Sequence, residues 1–285
     1  GIRTMTENIA EVENLKVSIG RNKVLDNISI QFQKGESVVI AGKNGAGKTT
    51  FLKCLANVIL PDQGRIEFSE TVPQEKIGYI SDQLSLFENY SVKQGIDFHS
   101  AVYRIQDFDT TLINELKLNL NQKIKNLSAG ERTLYHLSLI LAQKPEILFV
   151  DEIIHVIDPY LREKFLEAVI DLIDRFQTTV VMVNHTFTEI EKIPDRVLVM
   201  EKGQFILDEK TESLGGKLKK VVAKEEIPEE VPCIFKREAS YLKEYFIYPF
   251  DEEFRKKFPN DYKDINLNEI IKAFIGGQYV KERNQ

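Results

Sequence analysis

Gly42-Lys43-Asn44-Gly45-Ala46-Gly47-Lys48-Thr49 satisfies the spacing G-x-x-x-x-G-K-[ST], which suits a loop that wraps phosphate groups. Its glycines let the backbone curl, so that successive N–H groups across Gly42, Asn44, Gly45, Ala46 and Gly47 point inward at phosphate oxygens. The helix that follows adds the partial positive charge of its N-terminus. Lys48 then reaches the β- and γ-phosphates of a nucleotide, Thr49 offers a hydroxyl to Mg²⁺, and Thr50 donates to the α-phosphate. The context agrees: an apolar run precedes the loop, and Phe51, Leu52 and Leu55 recur at helical spacing after it.

A second group of chemically capable residues ends the apolar run Ile147-Leu148-Phe149-Val150 with Asp151 and Glu152. A parallel sheet delivers such strand ends to a nucleotide. Neighbours on a strand point to opposite faces, so the two acids are expected to divide the work. Asp151 is assigned to Mg²⁺, and Glu152 to orienting or deprotonating an attacking water.

Positioning these groups requires a layered fold. Ser37 to Ala41, Ile77 to Ile80, Ile147 to Asp151, Thr179 to Val183 and Arg196 to Met200 are short Val- and Ile-rich runs separated by helical patterns, as buried parallel strands read. Ile9 to Phe32 predicts antiparallel strands with turns at Gly20-Arg21-Asn22 and Asp26-Asn27. Ser91 to Asn121 predicts helices. Beyond Leu214 the composition shifts to Lys, Glu and Pro. The tail resumes order with a strand at Tyr245-Phe246-Ile247-Tyr248 and an amphipathic helix from Leu267 to Phe274. The expected architecture is α/β, with a mostly parallel core sheet, an antiparallel β subdomain and a helical subdomain at about 84–143. The core unit spans 7–214, and a small α+β extension fills 215–285.

The 285 residues are 42% hydrophobic, enough for a packed core, and the net charge of −6 with no basic stripe argues against a nucleic-acid partner. Cys54 and Cys233 match no metal or redox spacing, which suits a reducing compartment. No apolar run approaches the ~20 residues that span a bilayer. The first residues carry no apolar stretch of the signal-peptide kind, so a cytosolic location is expected.

Leu127-Ser128-Ala129-Gly130-Glu131 has two readings. Ser-x-x-Glu before the periodic Leu134, Leu137, Ile140 and Leu141 is a capping box. It also resembles the LSGGQ signature of the ABC (ATP-binding cassette) ATPases, with Ala129 and Glu131 departing mildly from that pattern. The order along the chain is similar to the family's: phosphate loop, glutamine loop at Gln83, signature, Asp151-Glu152 in the Walker B role, Asp158 at the D-loop, and His185 at the switch position. The resemblance covers about Ile9 to Leu214.

That resemblance implies ATP and Mg²⁺ as ligands, ATP hydrolysis as the reaction, and two cassettes packed head to tail. In such a pair Ser128 and Gly130 of one close over the nucleotide of the other. Gln83 then touches Mg²⁺ or water, His185 the γ-phosphate, and Asp158 the partner subunit, which is either a second copy or a paired cassette. Transmembrane permease subunits would hold the protein at the inner face of the membrane. They would dock beside Gln83 on the segment Leu84 to Val92, which carries Leu84, Leu86, Phe87 and Tyr90. Two departures stand out. The residues Ile153 to Ile157 differ from the usual D-loop approach, and Ile19 stands where the family often stacks an aromatic ring on adenine, so looser base recognition is expected. The stretch Ile265 to Ile271 loosely resembles drug- and antibiotic-exporter ATPases and favours export. A soluble relative acting on the ribosome is the alternative reading.

Overall fold

The computed structural model describes residues 7–82, 87–152, 157–183, 194–239, 241–267 and 269. β1 (Asn8–Ile19) and β2 (Asn22–Gln33) form a long antiparallel hairpin that turns at Gly20. The turn expected at Asp26-Asn27 is instead a bulge inside β2. Leu15 faces Ile28 but Val17 faces Leu25, so β2 takes three steps where β1 takes two, and Asn27 absorbs the excess with a φ of 56°.

β3 (Ser37–Ala41) is buried along its whole length and leads through the glycine-rich loop into α1 (Lys48–Leu55). β4 (Gln63–Phe68) returns to pair with β1, completing a three-stranded sheet in the order β2-β1-β4. β5 (Ile77–Ile80) comes next. The helical region follows as α2 (Val92–Tyr103), α3 (Thr111–Glu115) and α4 (Ala129–Ala142). Its core gathers Val92, Ile96, Ile113, Ile124 and Leu139 around the fully buried Tyr135. Tyr135 donates its hydroxyl to the Val92 carbonyl at 2.9 Å, so the one polar atom of that ring is satisfied.

β6 (Ile147–Val150), α5 (Pro159–Phe176), β7 (Thr179–Val183), β8 (Arg196–Glu201) and β9 (Gln204–Lys210) complete the central sheet, in the order β5-β6-β7-β3-β8-β9. All neighbours are parallel except β8 and β9. Alternate residues feed the two faces. Val38, Ile40, Phe149 and Val181 join Phe51, Leu52 and Leu55 of α1 on one side. Val39, Leu148, Val150 and Met182 join Leu134 and Leu137 of α4 and Phe165 and Val169 of α5 on the other. Both faces are therefore covered, as a parallel sheet requires.

α6 (Thr211–Lys217) runs straight across the break expected at Leu214. β10 (Lys219–Ala223), β11 (Cys233–Ala239), β12 (Leu242–Ile247), α7 (Glu252–Lys257) and β13 (Tyr262–Lys263) follow, with an antiparallel sheet ordered β11-β12-β10-β13. One apolar cluster joins Val197, Val199 and Leu207 of the central sheet to Leu214, Leu218, Phe235 and Phe246. Asn266 accepts from Glu269 N–H at 2.8 Å, a cap at the start of the helix expected from Leu267. The rest of that helix lies outside the described residues.

Candidate active site

The central strand β3 ends at Ala41 and sets the phosphate loop over the carboxyl edge of the sheet. Gly42 has a φ of 152°, and a Cβ there would fall 2.3 Å from the Met200 carbonyl oxygen. At Gly47, with a φ of 106°, a Cβ would lie 2.8 Å from Val24 O. No other residue fits these two approaches. Gly47 is also the N-cap of α1 and supplies no side-chain acceptor to the first turn. The orphan N–H groups of that turn are left for an anion.

Lys48 is buried, and its ammonium folds back to the carbonyls of Gly42 and Lys43, the second at 3.0 Å. Burial lowers its pKa, and the charges of Glu152 and Asp151 oppose that shift. Thr49 follows on the exposed side of the helix start and donates to Asp151 Oδ1 at 3.1 Å. Thr50 is half-buried, and Asn44 and Gly45 are exposed at the loop crest, while Ala46 is buried and accepts from Gly203 N–H at 2.8 Å.

Asp151 is buried at the end of β6. Its Oδ1 accepts from Thr49 and from the Glu152 N–H at 2.8 Å, and its Oδ2 from the Tyr79 hydroxyl at 3.4 Å. Burial pushes its carboxyl above the ordinary range, and these hydrogen bonds pull the other way. Burial and the Asp151 charge also raise the Tyr79 phenol, which stays a donor throughout the neutral range. Asp151 and Glu152 do not separate as strict strand alternation implies. Both line a cleft of about 220 Å³ with Thr49, Lys53, Tyr79, Ser81 and Asp82, just beyond the last residue of β6, Val150.

Lys53, Tyr79, Ser81 and Asp82 escaped the sequence reading. The available signal was a tyrosine inside an otherwise apolar strand next to the one that carries Asp151. Gln83 and His185 lie outside the described residues, as do Leu84, Leu86 and the stretch 153–156.

Ser128 caps α4 in a full capping box: its Oγ accepts from Glu131 N–H at 3.1 Å and its own N–H donates to Glu131 Oε1 at 2.9 Å. Ser128 and Ala129 are exposed, whereas Gly130 is buried against Leu161 of α5. Asp158 caps α5 through Leu161 N–H at 3.0 Å, with Pro159 at the first helical position. Gly130 at the start of α4 and the Asp158 cap of α5 thus meet on the same residue, Leu161. Ile19 ends β1 with 61% of its surface exposed. On the strand opposite, the Val24 carbonyl abuts Gly47, so the hairpin that carries Ile19 borders the phosphate loop.

Among the described residues no helix is long and apolar enough to cross a membrane. Phe87, Tyr90 and Phe98 are exposed and mutually packed, with ring centroids 4.9–6.1 Å apart.

Comparison with known proteins gives this arrangement a family. The description "ABC transporter" matches residues 25–155. The ABC transporter ATP-binding protein YtrB of Bacillus subtilis is 29% identical over 67% of this chain and 68% of its own length. A sulfate/thiosulfate import ATP-binding protein, CysA of Mannheimia succiniciproducens, is 28% identical, and the chain spans only 59% of its length. The dimeric post-hydrolysis cassette MJ0796 bound to ADP and Pi superposes with a TM-score of 0.60 at 20% identity, covering 71% of this chain and 98% of that one, a likeness of fold. An uncharacterized ABC transporter ATP-binding protein of Methanocaldococcus jannaschii, MJ1023, is 30% identical across 80% of this chain and 91% of its own. A match of that extent, carried on a phosphate loop and strand-end carboxylates in the family's order, places this chain among the ABC transporter ATP-binding proteins, the family's ATPases.

Proposed function

We propose that the subunit hydrolyses Mg²⁺·ATP at the cleft between α1 and the end of β6, and that a head-to-tail pair of cassettes drives a transmembrane permease with that energy. The observation that carries this reading is the 3.1 Å contact of Thr49 Oγ1 with Asp151 Oδ1. It brings two oxygen donors 102 positions apart in sequence to one point beside Lys48. They suit magnesium, which favours hard oxygens and binds through one or two carboxylates and substrate phosphates rather than in an all-protein cage. The described residues hold no group of three or more His, Cys, Asp or Glu side chains that would form such a cage. When bound, magnesium supplies positive charge to the β- and γ-phosphate oxygens.

Lys48 exchanges its carbonyl partners for phosphate oxygens, and Thr49 and Asp151 hold the metal. Glu152 orients the attacking water, a contribution of roughly 10²–10⁴-fold. Ser128 and Gly130, with Asp158 beside them, face the nucleotide of the partner cassette. Gln83 and His185 keep the water and γ-phosphate roles that the family pattern gives them. Ile19 lies against the base, where an aliphatic chain packs on a purine without selecting it strongly. The aromatic patch at Phe87, Tyr90 and Phe98 receives the permease and so holds the subunit at the inner face of the membrane.

Export is the finer reading, supported by the resemblance at Ile265 to Ile271. The sulfate importer's direction does not carry over, since its match leaves two fifths of that protein uncovered. Glu152→Gln tests the reading: it should bind ATP, accumulate as a dimer, and lose roughly 10²–10⁴-fold in turnover. A wild-type rate per subunit that stays constant on dilution into monomer would sink the paired site.

A further inference from the structure

β5 and β6 run parallel and in register, with Tyr79 beside Phe149 and Ile80 beside Val150. The pairing continues one residue further, where Asp151 N–H donates to the Ile80 carbonyl at 2.8 Å. Side chains on one face of a sheet recur every second residue. Phe149, Tyr79 and Asp151 therefore share a face, and a tyrosine leaning along its strand delivers its hydroxyl one pleat onward. There Tyr79 Oη meets Asp151 Oδ2 at 3.4 Å. The ring packs against the core cluster that contains Phe51 and Phe149, which fixes its orientation. Ser81, two residues on, lines the same cleft, and its hydroxyl opposes the rise of the phenol's pKa, as a group donating to it would. Both oxygens of the Asp151 carboxylate are thereby held: Oδ1 by Thr49 and the Glu152 N–H, and Oδ2 by Tyr79.

We propose that Tyr79 is a positioning residue of this ATPase: its hydroxyl, backed by Ser81, locks Oδ2 of Asp151 so that Oδ1 and Thr49 Oγ1 present a fixed pair of oxygens to the divalent cation. The inference rests on the assignment of Asp151 to the metal. Magnesium demands near-ideal octahedral geometry, so a carboxylate free to rotate is a poorer partner even with its charge unchanged. Groups that orient a metal carboxylate without touching the metal are worth about 10–100-fold in affinity. The Tyr79 hydroxyl is spent on Asp151, whereas the Lys48 ammonium rests on the Gly42 and Lys43 carbonyls, so the contribution of Tyr79 falls on the metal rather than on the phosphates.

The test uses the full chain, Mn²⁺ as a paramagnetic probe, and a β,γ-imido analogue of ATP. Tyr79→Phe keeps the ring and removes only the hydroxyl. Mn²⁺ binding in the presence of the analogue should weaken about tenfold. The magnesium needed for half-maximal hydrolysis should rise by about the same factor, with a smaller fall in kcat at saturating magnesium. Analogue binding without metal should stay within about twofold of wild type. Ser81→Ala should move Mn²⁺ binding in the same direction by about threefold. Mn²⁺ affinity of Tyr79→Phe within about twofold of wild type overturns the proposal, as does an equal loss of metal-free nucleotide binding, the mark of a purely structural role. Should Tyr79→Phe fail to fold, unchanged Mn²⁺ binding by Ser81→Ala overturns it. Asp151→Asn serves as the parallel arm: if it keeps full Mn²⁺ affinity, the assignment of Asp151 itself falls, a failure distinct from that of Tyr79.

Discussion

Gly130 lies so close to Leu161 that a Cβ built on it would sit 2.7 Å from Leu161 Cδ1. The start of α4 is thus pressed onto the first turn of α5, so Gly130 has a packing duty beside the role at a partner's nucleotide proposed for it. Gly130→Ala is expected to cost about 1–3 kcal/mol by overpacking. The clashing atom is the far end of one side chain, so Leu161→Val should relieve part of that loss. Chemical denaturation of the two single variants and the double variant checks this. Strict additivity of their effects would mean that the two residues are not coupled.

Asp151 gives a pH prediction with a definite sign. Burial, the largest cause, raises its carboxyl in the folded chain. Folding therefore takes up a proton: the stability Asp151 contributes is complete below the unfolded value of about 3.9 and is lost as pH rises through the folded value. Asp151→Asn preserves the shape and removes the charge. Thermal denaturation of nucleotide-free protein at neutral pH should shift upward, with a shallower fall in stability on the way from acid to neutral. Magnesium-dependent hydrolysis should disappear. An unchanged pH slope would show that the buried charge carries no cost.

Ser128 separates helix capping from anion binding. Ser128→Ala loses the acceptor for Glu131 N–H and should cost about 1 kcal/mol. Ser128→Asp retains a good cap, since aspartate is as strong an N-cap as serine, but sets a negative charge where the partner's γ-phosphate would arrive. The aspartate variant should melt like wild type and hydrolyse ATP at least about tenfold more slowly, a barrier increase of roughly 1.4 kcal/mol. Near-normal hydrolysis would confine Ser128 to its structural role.

The exposed trio Phe87, Tyr90 and Phe98 would, in the proposed docking, form an apolar floor for a helix of the permease. Phe87→Ala or Tyr90→Ala should leave the basal ATPase within about twofold and the fold intact, while copurification with the permease from membranes is lost. Normal pull-down of the permease by both folded variants would move the docking site elsewhere, the C-terminal extension being the next place to look.

What the sequence made legible follows from where the information lies. The phosphate loop is contiguous, so its glycines and Lys48 could be read directly. The strands buried on both faces announce themselves as unbroken Val and Ile runs. β4, β9 and β11 went unread because each is partly exposed and mixes charged residues with apolar ones, which blurs a period of two. Asp26-Asn27 carries turn chemistry, but the pairing of β1 with β2 on either side absorbs it as a bulge. Tyr79 was missed for a different reason. It meets Asp151 across 72 positions of sequence, and only the register of β5 against β6 brings the two together.

The cluster that binds Val197, Val199 and Leu207 to Leu218, Phe235 and Phe246 also limits how such a chain can be recombined. A cassette joined to a different tail at Leu214 would bring its own apolar patch to a surface shaped for another set of side chains. The junction would cut α6 in mid-turn, between two leucines that belong to one core. Exchange of the tail between relatives therefore requires a graft that carries the outward faces of β8 and β9 along with it, and substitutions on the two sides of that seam must change together.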